Sequence, residues 1–198
     1  MKSTIRKKTY QAIYRLLDRV SPIPEDCGAL CGAACCNCEG GGSSESSSDF
    51  EMGMYLLPGE EKLFTGDENW LRWSAERAED YDFPESWFGK IYFVRCKTAP
   101  KCPREMRPLQ CRFFPLAPHL TKQGCLQLIL FPGKLPYCCP LIEQKITLDE
   151  RFIRATYTVW ARLIQDSLIY DLVALDSSDR DSCHVVYPTN NGTAQIMK

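Results

Sequence analysis

A surplus of charge of either sign is missing from this 198-residue chain: 24 Lys and Arg stand against 25 Asp and Glu, a net charge of −1. Nucleic-acid binders and polybasic membrane anchors depend on a cationic excess, so neither nucleic acid nor a membrane is an expected partner. Histidine is scarce, with only 2 in the chain. His119 sits in Pro118-His119-Leu120 and His184 near the C-terminus, and neither has an evident orienting group for a His-assisted cysteine nucleophile. No Gly-rich nucleotide loop and no acid–base pair stands out. No apolar run is long enough to span a bilayer. The opening MKSTIRKKTYQAIYRLLDRV mixes polar and apolar positions where a signal peptide would carry an unbroken apolar core. The expected location is therefore cytoplasmic. There disulfides are rare and grouped cysteines more often bind metal, and the sequon Asn191-Gly192-Thr193 has no glycosylation route.

Cysteine, by contrast, is abundant. Of 12 in all, five fall in CGALCGAACCNC, from Cys27 to Cys38. A second group, Cys96, Cys102 and Cys111, occupies CKTAPKCPREMRPLQC, followed by Cys125 and the pair Cys138-Cys139. Thiols crowd a sequence to form disulfides, to bind metal or to do redox work. Loops of fixed shape suit ligation, because four thiolates must converge at about 2.3 Å from a zinc ion. Such a site carries net negative charge. Lys97, Lys101, Arg104, Arg107 and Arg112 against the single acid Glu105 supply a basic setting that favours thiolates; a merely solvated basic loop is the alternative. Adjacent pairs such as Cys35-Cys36 fit a polynuclear cluster, or two neighbouring sites, better than a single ion. The spacing Cys31-x3-Cys35-x2-Cys38 matches that of radical SAM enzymes, but the series of βα units that chemistry is normally built on is not visible.

Helical periodicity predicts an amphipathic helix over Thr4 to Val20, with Ile5, Tyr10, Ile13, Leu16, Leu17 and Val20 facing the core, ended by Ser21-Pro22-Ile23-Pro24. Residues 39–49, EGGGSSESSSD, read as a flexible insertion. Pro58-Gly59-Glu60-Glu61 reads as a turn into a short helix whose acids favour its N-terminal dipole. A helix is expected near Glu68 to Ala78, with Trp70, Trp73 and Trp87 as core and lid residues. KIYFVRC (Lys90 to Cys96) and CLQLILF (Cys125 to Phe131) are strand candidates, with mutual pairing as one arrangement. Eight prolines from Pro100 to Pro140 exclude long helices there. Thr147-Leu148-Asp149-Glu150 fits a capping box opening a helix with the stripe Phe152, Ile153, Tyr157, Trp160, Leu163 and Ile164; Leu168 to Leu175 reads as a second helix. The whole reads as one α+β domain over residues 1–176, with irregular cysteine-rich loops and a few short strands flanked by N- and C-terminal helices, then a polar tail over 177–198.

CGALCGAACC, GMYLLPGEE, CPREMRPLQCRFFPLAP and CCPL resemble the bacterial zinc- or iron-chelating cysteine-cluster (YkgJ-like) family, particularly its clostridial-type members, between Cys27 and Leu141. Arg107 to Arg112 (Arg-Pro-x-x-Cys-Arg) and Cys35-Cys36 carry most of the specificity; Cys38 and the Gly/Ser tract depart from the family pattern. The resemblance implies Cys27, Cys31, Cys35, Cys36, Cys102 and Cys111 as ligands, with Cys96 and Cys139 next. Arg107 and Arg112 would stand behind them as compensating charge. The implied cofactor is zinc or an iron–sulfur cluster. The implied role is metal binding, in a structural or interaction module with a protein partner. The alternative is an iron–sulfur-dependent enzyme such as a flagellin lysine N-methyltransferase, a reaction to which some relatives are linked.

Overall fold

The computed structural model describes residues 2–37, 53–98, 101–135, 137–180 and 184–188. The 39–49 tract, Cys38, Cys183 and the sequon lie outside them. The fold is α+β, with two small antiparallel sheets and helices at both ends. Helix α1 (Lys7–Leu17) buries Tyr10, Ile13, Tyr14 and Leu17. Tyr14 takes the place expected for Leu16, which is exposed, so the apolar face is rotated by part of a turn. Two single-turn helices follow, α2 (Gly28–Cys31) and α3 (Ala34–Asn37).

The first sheet has the order β1-β3-β2, from β1 (Met54–Tyr55), β2 (Leu71–Arg77) and β3 (Lys90–Cys96). The expected helix at 68–78 is thus a strand, paired with β3 from Leu71↔Cys96 to Arg77↔Lys90. Glu68 supplies the reason. Its carboxylate accepts from Thr65 N, Gly66 N and Trp73 Nε1, closing a turn that aims the chain into the sheet. Sheet pairing then overrides a helix-compatible sequence. Trp70 and Trp87 are buried, and Trp87 stacks on Phe83 and donates to Leu168 O at 2.8 Å.

The second sheet has the order β4-β5-β6, from β4 (Leu116–Leu120), β5 (Leu126–Leu130) and β6 (Val185–Tyr187). The two strands anticipated from sequence, β3 and β5, therefore lie in different sheets and do not pair. Pro118 is tolerated because β4 is an edge strand. Among the described residues of the proline-rich stretch, the helical elements are a 3-10 turn (Arg104–Met106) and the short helices α4 (Leu109–Phe113) and α5 (Pro140–Glu143). Residues 184–188, within the stretch read as a polar tail, join the second sheet: Val186 is buried and Leu130 N donates to His184 O at 3.1 Å. Helix α6 (Glu150–Leu163) lies across all three strands and against α1, burying Phe152, Ile153, Val159, Trp160 and Leu163. Fully burying each such side chain contributes about 1.5–3 kcal/mol. Its N-cap is Asp149, two residues beyond the expected Thr147, accepting from Arg151 N, while Glu150 pairs forward with Arg154. Helix α7 (Ser167–Ser178) is capped by Asp166, which also accepts from Thr4 N and Oγ1 and from Ser3 Oγ, fastening the N-terminus to it.

Glu60, in the 3-10 turn Glu60–Leu63, is fully buried. Its Oε1 accepts from Tyr14 Oη at 2.6 Å and Leu109 N at 2.8 Å, and its Oε2 from Leu57 N at 3.0 Å. Burial pushes its pKa up, against these donors and the Arg112 cation, which pull it down. A protonated Glu60 can donate to Tyr14 Oη, whose hydroxyl also accepts. Since the folded pKa is raised, its contribution to stability is present below the unfolded value of about 4.3 and lost as pH rises through the folded value. Glu60→Gln cannot satisfy both Leu57 N and Leu109 N, and should cost about 1–3 kcal/mol in urea unfolding at neutral pH. It should also remove this pH-dependent component. Unchanged stability and an unchanged pH slope would refute the assignment.

Candidate metal centre

Between α2 and α3 the backbone reverses through two consecutive left-handed residues, Gly32 at φ 61° and Ala33 at φ 57°. Ala33 pays for this in steric strain of about 1–2 kcal/mol. Its N–H reaches Gly28 O at 2.8 Å, holding the reversal, and this sets Cys31 and Cys35 on successive short helices. The stretch is tied to the second cysteine motif by Arg104, which donates to Ser21 Oγ at 3.0 Å and pairs with Asp26 at 3.3 Å.

The sites meet at a seam between two apolar clusters. Cys96 and Cys102 pack on the main core, whereas Cys139 is buried in a smaller cluster with Ile23 and Leu141, against which Cys27 also packs. Electrostatic coupling links the set: Cys111 feels Cys96, Cys102 and Cys36; Cys35 feels Cys36, Cys111 and Cys27; Cys139 feels Cys31. All eight cysteines singled out in the sequence are thus linked by electrostatic coupling, across three separate stretches of chain. Cys35 Sγ and Cys36 Sγ stand 3.9 Å apart, and Cys31 Sγ is 4.0 Å from Cys27 O. No disulfide joins any two of the ten cysteines among the described residues. Among those residues, no three Cys, His, Asp or Glu side chains are gathered tightly enough to enclose an ion as they stand. Cys125, in the β4–β5 turn, and Cys138 are exposed.

The two arginines have different tasks. Arg107 Nε donates to Cys102 Sγ at 3.0 Å, and its charge also bears on Cys36, Cys27 and Cys111. Arg112 turns away from the thiols. It pairs with Asp18 at 2.6 Å, lies 4.4 Å from the Tyr14 ring centroid, and donates to Arg107 O and Arg104 O. It therefore clamps the turn that carries Arg107 onto α1, acting on the site through backbone position. Sequence reasoning missed Glu60, whose bond to Leu109 N anchors the helix bearing Cys111, and Met54, whose Sδ lies 3.1 Å from Cys111 Sγ. Both lie in the quoted GMYLLPGEE motif, where Glu60 reads only as an acid at a helix start and Met54 has no evident role, since each acts through a contact across about fifty residues of chain.

Burial pushes the Cys111, Cys27 and Cys139 thiols up. Cys35 and Cys36 share a proton: the hydrogen bond between them, with help from Arg107, lowers Cys36 to about 6 and drives Cys35 far up. These apparent values belong to the pair. Metal would have to displace the protons of the raised thiols, so uptake should release acid and weaken as pH falls. The donor set fits zinc or an iron–sulfur cluster, both of which take thiolate ligands.

No family model matches the chain, and no curated protein or solved structure matches it significantly.

In reduced, metal-free protein, alkylation of Cys36 by iodoacetamide should rise through about pH 6 and then level off, while Cys111 stays slow at neutral pH. Peptide mapping by mass spectrometry reads both. Cys35→Ala should move the Cys36 profile upward more than Arg107→Ala does, because the thiol hydrogen bond is the larger influence. Equal labelling of Cys36 and Cys111 at pH 7 would contradict this electrostatic picture.

Proposed function

We propose that this chain is a metal-binding protein of the YkgJ-like kind, holding zinc or an iron–sulfur cluster through thiolates contributed by Cys27, Cys31, Cys35, Cys36, Cys96, Cys102, Cys111 and Cys139. One observation carries the reading: thiols from three stretches well separated in sequence couple electrostatically with one another at a seam of the fold. Apolar packing alone has no need of so many thiols in one place. Arg107, donating to Cys102, supplies the positive charge that a thiolate site requires. Eight thiols exceed the four that one zinc takes, which favours two sites or a cluster. Metal bound there would join the α2–α3 stretch to the β3–α4 segment and add its binding free energy to folding.

Protein purified anaerobically should carry tightly bound metal, measured by elemental analysis and an absorption spectrum. A colourless zinc protein would favour a structural role; charge-transfer bands would favour an iron–sulfur centre. Cys36→Ser and Cys111→Ser should each lower metal content and melting temperature, whereas Cys125→Ser should change neither. A well-folded preparation without metal, unable to take it up after reduction, would end the proposal.

A further inference from the structure

The contact between Cys111 and Met54 is held in place on both sides. Cys111 Sγ lies 3.1 Å from Met54 Sδ. On one flank, Gln110 Nε2 donates to Tyr55 O at 2.6 Å, fixing α4 to the strand residue after Met54. On the other, Leu109 N is bonded to the buried Glu60 carboxylate. Register adds a third constraint. Met54 is opposite Val94 on β3, and Cys96 is two residues further along, so Met54, Val94 and Cys96 share one face of the sheet. That face brings a thioether and a second thiol to Cys111, which also feels Cys36 and Cys102.

A thioether is a neutral, polarisable donor with little attraction for a borderline divalent ion and a good match for a soft monovalent one. It also adds no negative charge to a partly buried site, where each further thiolate would need compensation. We infer that Met54 is a metal ligand and that the Cys111–Met54 pair, with Cys96 or Cys36 completing the shell, makes this part of the centre a copper(I) site. The assignment rests on the reading of Cys111 as a metal ligand. On binding, the Cys111 S–H bond breaks and its proton passes to solvent. An Sγ–Cu bond forms, Met54 Sδ donates a lone pair, and no electron changes hands.

The test uses the full chain, reduced and anaerobic, with copper(I) supplied against a chromogenic copper(I) chelator and zinc titrated separately. Losing partners that stand behind metal ligands commonly lowers affinity 10- to 100-fold, so losing this direct ligand in Met54→Leu should weaken copper(I) binding by roughly tenfold or more. Zinc binding and melting temperature should hold, since Leu conserves volume. Selenomethionine-labelled wild-type protein loaded with copper(I) should show Cu–Se scattering by X-ray absorption. Met54→Leu in the same labelled background should abolish it. Undiminished copper(I) affinity in Met54→Leu, absence of Cu–Se scattering in the wild type, or its persistence in the variant would each overturn the inference. Cys111→Ser separates the two levels. If it loses metal while Met54→Leu does not, only the thioether assignment falls; if it keeps zinc and copper(I) as the wild type does, the thiolate reading of Cys111 falls with it.

Discussion

Three donors from three separate stretches of chain end on one buried carboxylate, that of Glu60. Tyr14 belongs to α1, Leu57 to the turn after β1, and Leu109 to the first residue of α4. A buried polar group without a partner costs about 1–3 kcal/mol, so these groups satisfy one another or all are penalised together. Because that arrangement is closed, α4 has one position relative to α1 and β1. The positions of Cys111, of Arg112 and of the turn that Arg112 grips follow from it.

The arginines extend this constraint outward. Arg112 spans from Asp18, the C-cap of α1, to the carbonyls of Arg104 and Arg107, and Arg104 reaches Ser21 and Asp26 at the entry to the first cysteine stretch. Positive charge is thus used twice, once to connect backbone segments and once, at Arg107, to face sulfur. A Lys at either 104 or 112 would keep the charge and lose the fork that serves several acceptors together.

Much of the architecture could be read from periodicity. Helices α1, α6 and α7, the strands β3 and β5, and the absence of long helices among the prolines are all carried by local pattern: each helix buries one face, and each strand is a short β-prone run bounded by turn residues. Strand β2 could not be read this way. Leu71 to Arg77 is compatible with a helix until Glu68 closes its turn and β3 offers a partner along the whole length. Strand β6 was hidden for a similar reason: three residues have too little pattern to register, and their order comes from the neighbour they pair with. At the candidate centre, the cysteines and Arg107 were legible because sulfur and charge are conspicuous in a sequence. The roles of Glu60 and Met54 were not, although GMYLLPGEE contains both, because a buried acid and a thioether look ordinary until distant chain is folded against them.

Strand β6 lies at one border of its sheet, leaving β5 flanked on both sides. A chain ending after α7 would keep every helix and every cysteine of the seam, yet Leu128, Ile129 and Leu130 would face outward along an unpaired row of backbone amides and carbonyls. Such a border is a template for another copy of the same strand. Residues 185–187 therefore protect the molecule from its own kind. Shortening the C-terminus would show first as self-association at high concentration, before any loss of the helices or of the seam.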